Sequence, residues 1–397
     1  MSSARVGSAF RFAAVFAVLS ATGCNDPFLP DSERAYIQVA TGGQHTCALT
    51  ASGTAFCWGR GRDGELGDGR SANSFEPVRV AGDLHFTSIT AGEAHTCALA
   101  TDGRVYCWGW AVFAQLGNPN SAVTNRPVAV ESDLQFTAVS AGTHHTCAIA
   151  QDARVFCWGF NRWGQAGNGN TDVTIYPIAV AAELRAVAIS AGGSHSCALT
   201  AAFTIFCWGS NGFGQLGIPT NTLFSTTPAL VRTAFLFESL DAGTTHTCAV
   251  ARSGQPYCWG SNGYGEVGDA APWRTDLPGP AEPTAVVLLP RVRAISAGAN
   301  HTCAIDPAGL AWCWGRGEFG QLGGGDTRNH AVRQPVHLLP LHFHDGDKLV
   351  FTQVAAGGTT HVCGLADDSV FCWGTGPLGQ LGSRESPFST LPQRVDD

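Results

Sequence analysis

The chain has 397 residues, with 23 Lys and Arg against 31 Asp and Glu, a net charge of −8 and 14% charged side chains. Without a basic excess there is little to grip a phosphate backbone, which excludes nucleic-acid binding as the main activity. Fifteen cysteines leave three readings open (disulfides, buried thiols or metal ligands), and their spacing has to decide between them.

Residues 1–23 place Arg5 and Arg11 around the start of an apolar stretch, with small residues before Cys24. This reads as a secretory signal, too short to span a membrane as a stable helix. Ala21-Thr22-Gly23-Cys24 resembles a bacterial lipobox, with Ala21 where Leu is usual. Cys24 is therefore the expected lipidation site; the competing reading is ordinary cleavage that leaves a spare thiol. Residues 24–35 are read as a lipidated cysteine and a short tether. That puts the protein in the bacterial cell envelope, periplasmic or at the surface, with a membrane anchor but no span.

From residue 36 onward one phrase is written seven times. His45-Thr46-Cys47 is followed by Cys57-Trp58-Gly59. The cysteine pairs recur as Cys97 with Cys107, Cys147 with Cys157, Cys197 with Cys207, Cys248 with Cys258, Cys303 with Cys313 and Cys363 with Cys372. A period near 50 residues points to a propeller or solenoid. Ahead of each His lies an apolar alternation ending in Ala-Gly or Thr-Gly, such as "FTSITAG"; behind each Trp-Gly lies a glycine turn such as "FGQLG". A Pro and a short apolar run, such as "PVRV", close most units. Each unit thus reads as about four short strands separated by Gly and Pro turns.

The cysteine spacing fits a hairpin. Opposing Cys47 and Cys57 leaves a three-residue loop, Ala51-Ser52-Gly53, whose third place favours the left-handed region that Gly fills cheaply. Ala153 and Phe203 stand at that place in units three and four, where a different turn is expected. In the seventh unit one loop residue is missing, and opposing Cys363 and Cys372 leaves only Asp367-Asp368. Seven disulfides within the units are expected. Buried thiols and metal binding by His-x-Cys remain the alternatives. The phrase is read as the inner hairpin of its unit. The motif tryptophans are expected to pack between units, and the repeated His to be structural, since an active site is needed once.

The ordered landmarks "AG-x-x-HTCAL", "CWG", "GQLG" and "P-x-x-V" resemble the repeat of the regulator of chromosome condensation (RCC1-like) superfamily over about residues 36–395. The resemblance implies an all-β fold, a seven-bladed β-propeller of RCC1-like repeats occupying residues 36–397. Members include a nucleotide-exchange factor for a nuclear GTPase, domains of ubiquitin ligases and secreted inhibitors of β-lactamase. Their shared theme is protein binding by one face of the ring. The paired cysteines depart from the nuclear members.

Function in a repeat protein is sought where the symmetry breaks. The residue before each glycine turn is aromatic in five units (Phe113, Trp163, Phe213, Tyr264, Phe319), with Asp63 and Leu378 in the others. With Trp110 these form a candidate binding face, against the plainer reading that they cover the blade below. Units five and six carry extra length. Trp273 and Arg274 are candidate contacts in the first insertion. His330, His337, His342, His344, Asp345 and Asp347 in the second match no defensible metal motif, so no metal or cofactor is assigned. No nucleophile–base or paired-carboxylate arrangement is visible. The expectation is a non-enzymatic, monomeric scaffold binding an unidentified protein. Glycan recognition and inhibition of a secreted enzyme are the alternatives.

Overall fold

The computed structural model describes residues 34–119, 123–181, 184–219, 221–271, 279–289, 291–336, 349–384 and 386–396. In the first unit, β1 (Tyr36–Thr41), β2 (His45–Thr50), β3 (Ala55–Gly59) and β4 (Ser74–Arg79) form one antiparallel sheet in chain order. The same plan repeats to give seven four-stranded sheets among the described residues. These blades occupy residues 36–79, 86–129, 136–179, 188–230, 237–285, 294–335 and 351–394. The fold is a seven-bladed β-propeller, and every blade consists of consecutive strands. No described helix is long and apolar enough to cross a membrane.

The radial order follows from burial. The first strands of all seven blades line an axial channel with a cavity of about 410 Å³. β2 and β3 are buried along their whole length because both faces meet a neighbouring blade. The Cys-bearing hairpin is therefore the middle of the blade, not its inner part: spacing sets the register of two strands but not their distance from the axis. β4 lies outermost, an unpaired edge. Pro77 and its counterparts Pro127, Pro177, Pro228 and Pro392 sit in such outer strands, where a missing N–H also discourages pairing with another chain.

Seven disulfides staple the middle hairpins, one in each blade. Cys47 is bonded to Cys57, Cys97 to Cys107, Cys147 to Cys157, Cys197 to Cys207, Cys248 to Cys258, Cys303 to Cys313 and Cys363 to Cys372, with Cα atoms 4.0–4.1 Å apart. The cysteines are thus neither free thiols nor metal ligands. Within the first hairpin Cys47 opposes Cys57 and Leu49 opposes Ala55, and Gly53 takes φ 83°. Ala153 and Phe203 do not turn differently. They take φ 69° and 63°, because the paired strands on either side leave one path for the loop. In blade 7 the loop is Asp367-Asp368, both left-handed, and Cys363 still faces Cys372.

Three rings of contacts close the disc. Gly42 shows the first: a Cβ there would lie 2.4 Å from the Gly92 carbonyl of the next blade. The same approach runs round to Gly357 against Thr41 of blade 1. The second is a belt in the channel wall, where one side chain per blade bonds to the main chain of the next. Thr90, Ser140, Ser190, Asp241 and Ser296 accept from the N–H groups of Ala141, Ala191, Ala242, Ala297 and Ala356. Blades 1 and 7 have Ala40 and Ala355 at that place. There a glutamine two residues earlier bridges instead: Gln38 bonds both main-chain groups of Ile89, and Gln353 both of Val39.

The third ring uses the motif residues. His45 Nε2 lies 2.8 Å from Thr96 Oγ1, which donates to the main-chain carbonyl of Glu65. Trp108 Nε1 donates to the same carbonyl at 2.8 Å. The seven motif tryptophans and the seven histidines are fully buried in these joints, as the reading of structural His and packing Trp required. Joint 6–7 alone lacks the hydroxyl. Val362 stands where the other blades have Thr or Ser, and neither ring nitrogen of His301 has a partner.

Candidate interface on one face of the ring

The β1–β2 and β3–β4 loops leave the same edge of the sheet and are tied together, as by Arg60 N–H to the Gln44 carbonyl, 2.9 Å. This face carries the glycine turns. Within each turn the Gln, or Glu65 and Glu266, accepts the backbone N–H of the residue two places earlier. For Trp163 the acceptor is Gln165 Oε1 at 2.9 Å. The main-chain carbonyl of the same Gln165 receives Ser196 and Trp208 of the next blade. One residue thus holds both the aromatic position and the joint beneath it. Burial pushes the Glu65 carboxyl up to about 7, and that of Glu266 upward as well.

The turn leans over the next blade. A Cβ on Gly164 would lie 2.7 Å from Thr226 Cα in the outer strand of blade 4. What the aromatic side chain then meets is the residue after Trp-Gly in that next blade. Phe113 of blade 2 meets Phe160 at 4.9 Å between ring centroids, together with Trp110 and His144 at 5.3 and 5.1 Å. Tyr264 of blade 5 meets Arg316, whose guanidinium lies 5.1 Å from that ring and 4.7 Å from Phe319. These candidates pack.

Blades 4 and 5 instead offer Ser210 and Ser261, which cover nothing. Trp163 and Phe213 consequently stay 46% and 43% exposed. The Trp163 ring sits 6.4 Å from Phe224, itself exposed, and Leu223 adjoins it. The sequence-expected aromatic ring is thus split. Four of its members are half-buried. Trp163 joins Phe224 and Leu223 in an apolar patch across blades 3 and 4, and Phe213 stands exposed in the turn of blade 4 that leans towards blade 5. Phe224 and Leu223 escaped the sequence reading because they lie at the start of an outer strand and just before it, outside the turn motif. The small Ser210 and Ser261 were the signal that could have singled out their neighbours.

Cys24, Trp273 and Arg274 lie outside the described residues, as do His337, His342, His344, Asp345 and Asp347. His330 is described and pairs with Asp326, Nε2 to Oδ1 3.2 Å.

A propeller of seven sequence-contiguous blades, each joined to the next through a Trp bonded to a turn carbonyl, and in six joints through a His bonded to a hydroxyl as well, is an RCC1-type propeller. The chain belongs to the RCC1-like domain family: the family model matches residues 23–286, and models of the RCC1 repeat match residues 292–321 and 308–364. Among curated relatives it is 29% identical to the human E3 ubiquitin-protein ligase HERC2 over 160 residues, 40% of this chain but 3% of that protein. It is 32% identical to the Ultraviolet-B receptor UVR8 of Arabidopsis thaliana over 156 residues, 39% of this chain and 33% of the receptor. Among solved structures it resembles Prp20p from Saccharomyces cerevisiae, described with its binding to Gsp1p and histones. That match has a TM-score of 0.71 and 25% identity, and covers 84% of this chain and 82% of the other. The seven buried disulfides set the chain in an oxidising environment.

Proposed function

We propose that the protein is an exported scaffold, cleaved after residue 23 and lipid-anchored at Cys24, which holds a protein partner on the loop-bearing face of its propeller. The contact lies across blades 3 and 4. The observation that carries this reading is the patch of Trp163, Leu223 and Phe224, with Phe213 exposed in the next turn of the same face. Large apolar side chains left open side by side on a rigid ring are the kind of anchor that protein interfaces bury. Prp20p and the ligases give the general precedent of an RCC1-type ring used for binding. Their own partners and activities are not transferred: the match to the ligase covers 3% of that protein, and the likeness to Prp20p is one of fold. The bacterial cell envelope is the proposed location. It rests on the signal-like residues 1–23, Cys24 and the disulfides. A non-enzymatic role rests on the repeated motif residues being spent on joints between blades.

The test compares the parent chain with a double variant, Trp163→Ala with Phe213→Ala. Both side chains are exposed, so the variant keeps its joints, whereas changing Phe113 or Tyr264 would disturb packing. Cross-linking in envelope fractions should capture a protein with the parent only, and the purified pair should bind with at least a tenfold loss in the variant. Equal binding by both would overturn the reading. Binding only to immobilised glycans, lost in the variant, would replace it with glycan recognition. Separately, Cys24→Ser should move the chain from the membrane to the soluble fraction.

A further inference from the structure

The histidine ring has a defined protonation state. Thr46, Thr96, Thr146, Ser196, Thr247 and Thr302 each have one hydroxyl proton, and each donates it to a turn carbonyl of the preceding blade. Their oxygens lie 2.8–3.0 Å from Nε2 of His361, His45, His95, His145, His195 and His246. With the hydroxyl proton already spent, the oxygen must accept, so Nε2 carries the imidazole hydrogen. Nδ1 is bare and buried in all seven rings, with no partner. A second proton would make a buried cation whose new N–H has nothing to receive it.

The surroundings offer little compensation: only at His361 does a main-chain contact, with His45, favour the charged form. The titratable groups facing the rings are other imidazoles and cations: His361 and Arg60 at His45, His144, His45 and His145 at His95, His144 at His145, His145 and His246 at His195, and His246, His361 and Arg316 at His301. The buried carboxylates on the adjoining elements are occupied. Glu65 is paired with Arg60, Glu266 accepts from Ser261 and Tyr264, and Asp241 accepts from Ser190 and Ala297. Glu93, in the β1–β2-type loop of blade 2, has Arg60 as its charged neighbour.

We propose that the propeller is an acid-releasable ring. Protonation of the histidine ring frees the joints between blades, while the disulfides, each internal to one blade, keep the hairpins in register. The disc then opens as linked blades and closes on neutralisation. Trp163 and Phe224 lie on opposite sides of joint 3–4, so opening parts the exposed patch.

Burial, with repulsion between neighbouring rings, holds His45, His95, His145, His195 and His301 at about 3, and burial alone sets His246 at about 4 and is the largest cause at His361, also about 4. An opened joint takes up a proton near the ordinary 6.5, so the closed ring loses stability as pH falls below that value. Glu65, Glu93, Asp241 and Glu266 are pushed up by burial and act in the opposite sense, binding protons more tightly when the ring is closed. The carboxylates held low, exposed Asp152 and Glu318 and half-buried Asp326, weaken the fold only below about 4. A loss between pH 6.5 and 4 therefore belongs to the imidazoles.

The oxidised full chain should be followed from pH 7.5 to 4 and back by small-angle scattering and near- and far-ultraviolet circular dichroism. The expected result is a cooperative rise in radius of gyration from about 21 Å. It comes with loss of the near-ultraviolet tryptophan signal, retained far-ultraviolet signal, no free thiol, and recovery on neutralisation. An unchanged radius down to pH 4, or simultaneous loss of the far-ultraviolet signal, overturns the proposal. Nitrogen-15 spectra of the histidines at pH 7 provide a check that needs no variant. Six rings bonded through Nε2–H support it, and rings that titrate near 6.5 in the closed protein refute it.

Discussion

Val362 shows how much one side chain decides in a repeated joint. In six joints a hydroxyl satisfies both an imidazole N–H and a turn carbonyl; at the seventh a methyl group stands there and His301 is left unpaired. Val→Thr in a core is normally unfavourable because of the buried hydroxyl. Here the hydroxyl would find His301 Nε2 as donor and the Gln321 carbonyl, already bound to Trp373, as acceptor. Val362→Thr should therefore stabilise the protein by about 1 kcal/mol, read as a higher urea midpoint at unchanged slope. The same scale explains the partial legibility of the candidate interface. The five aromatic positions were visible in the turn motif, but whether each is covered depends on a residue about one repeat downstream, Phe160 or Arg316 against Ser210 or Ser261. Nothing in a single unit shows which unit it will lean on.

At the scale of the hairpin, cysteine spacing was a reliable ruler. A disulfide requires opposed residues, so a separation of 10, or of 9 with a shorter loop, fixed the register in every blade, blade 7 included. The expectation for Ala153 and Phe203 failed because local preference is worth only about 1–2 kcal/mol, less than the paired strands on either side impose. The radial place of the hairpin was illegible for another reason: β2 and β3 are apolar on both faces, and only the small polar residues of β1 mark the axis side. Each disulfide closes a short loop. Removing one by changing both Cys147 and Cys157 to Ala should cost about 2–3 kcal/mol in thermal or urea unfolding and leave the other hairpins in register.

For the whole molecule, the number of blades and the strand count were legible because the repeat is written in full. The closing seam was not, since it is made by substitutions at different positions of the repeat. Ala40 and Ala355 look like losses until Gln38 and Gln353 are seen to bridge in their place. Gln353→Ala should unfasten joint 7–1, leaving the channel-facing main chain of Val39 unpaired at a cost of about 1–3 kcal/mol. Hydrogen exchange should quicken at the Val39 amide and stay slow at Ile89, which Gln38 still holds.

The contiguity of each sheet also bears on how such a ring arises and changes. Among the described residues no strand is lent from one end of the chain to the other, so each blade is encoded by one uninterrupted stretch. Duplication or deletion of that stretch adds or removes a complete blade and never leaves a half-built sheet. Selection then acts on closure alone, on whether the last unit can reach the first. The irregular pair Gln38 and Gln353, found only in the two blades that meet at the seam, is the adjustment such a history would leave behind.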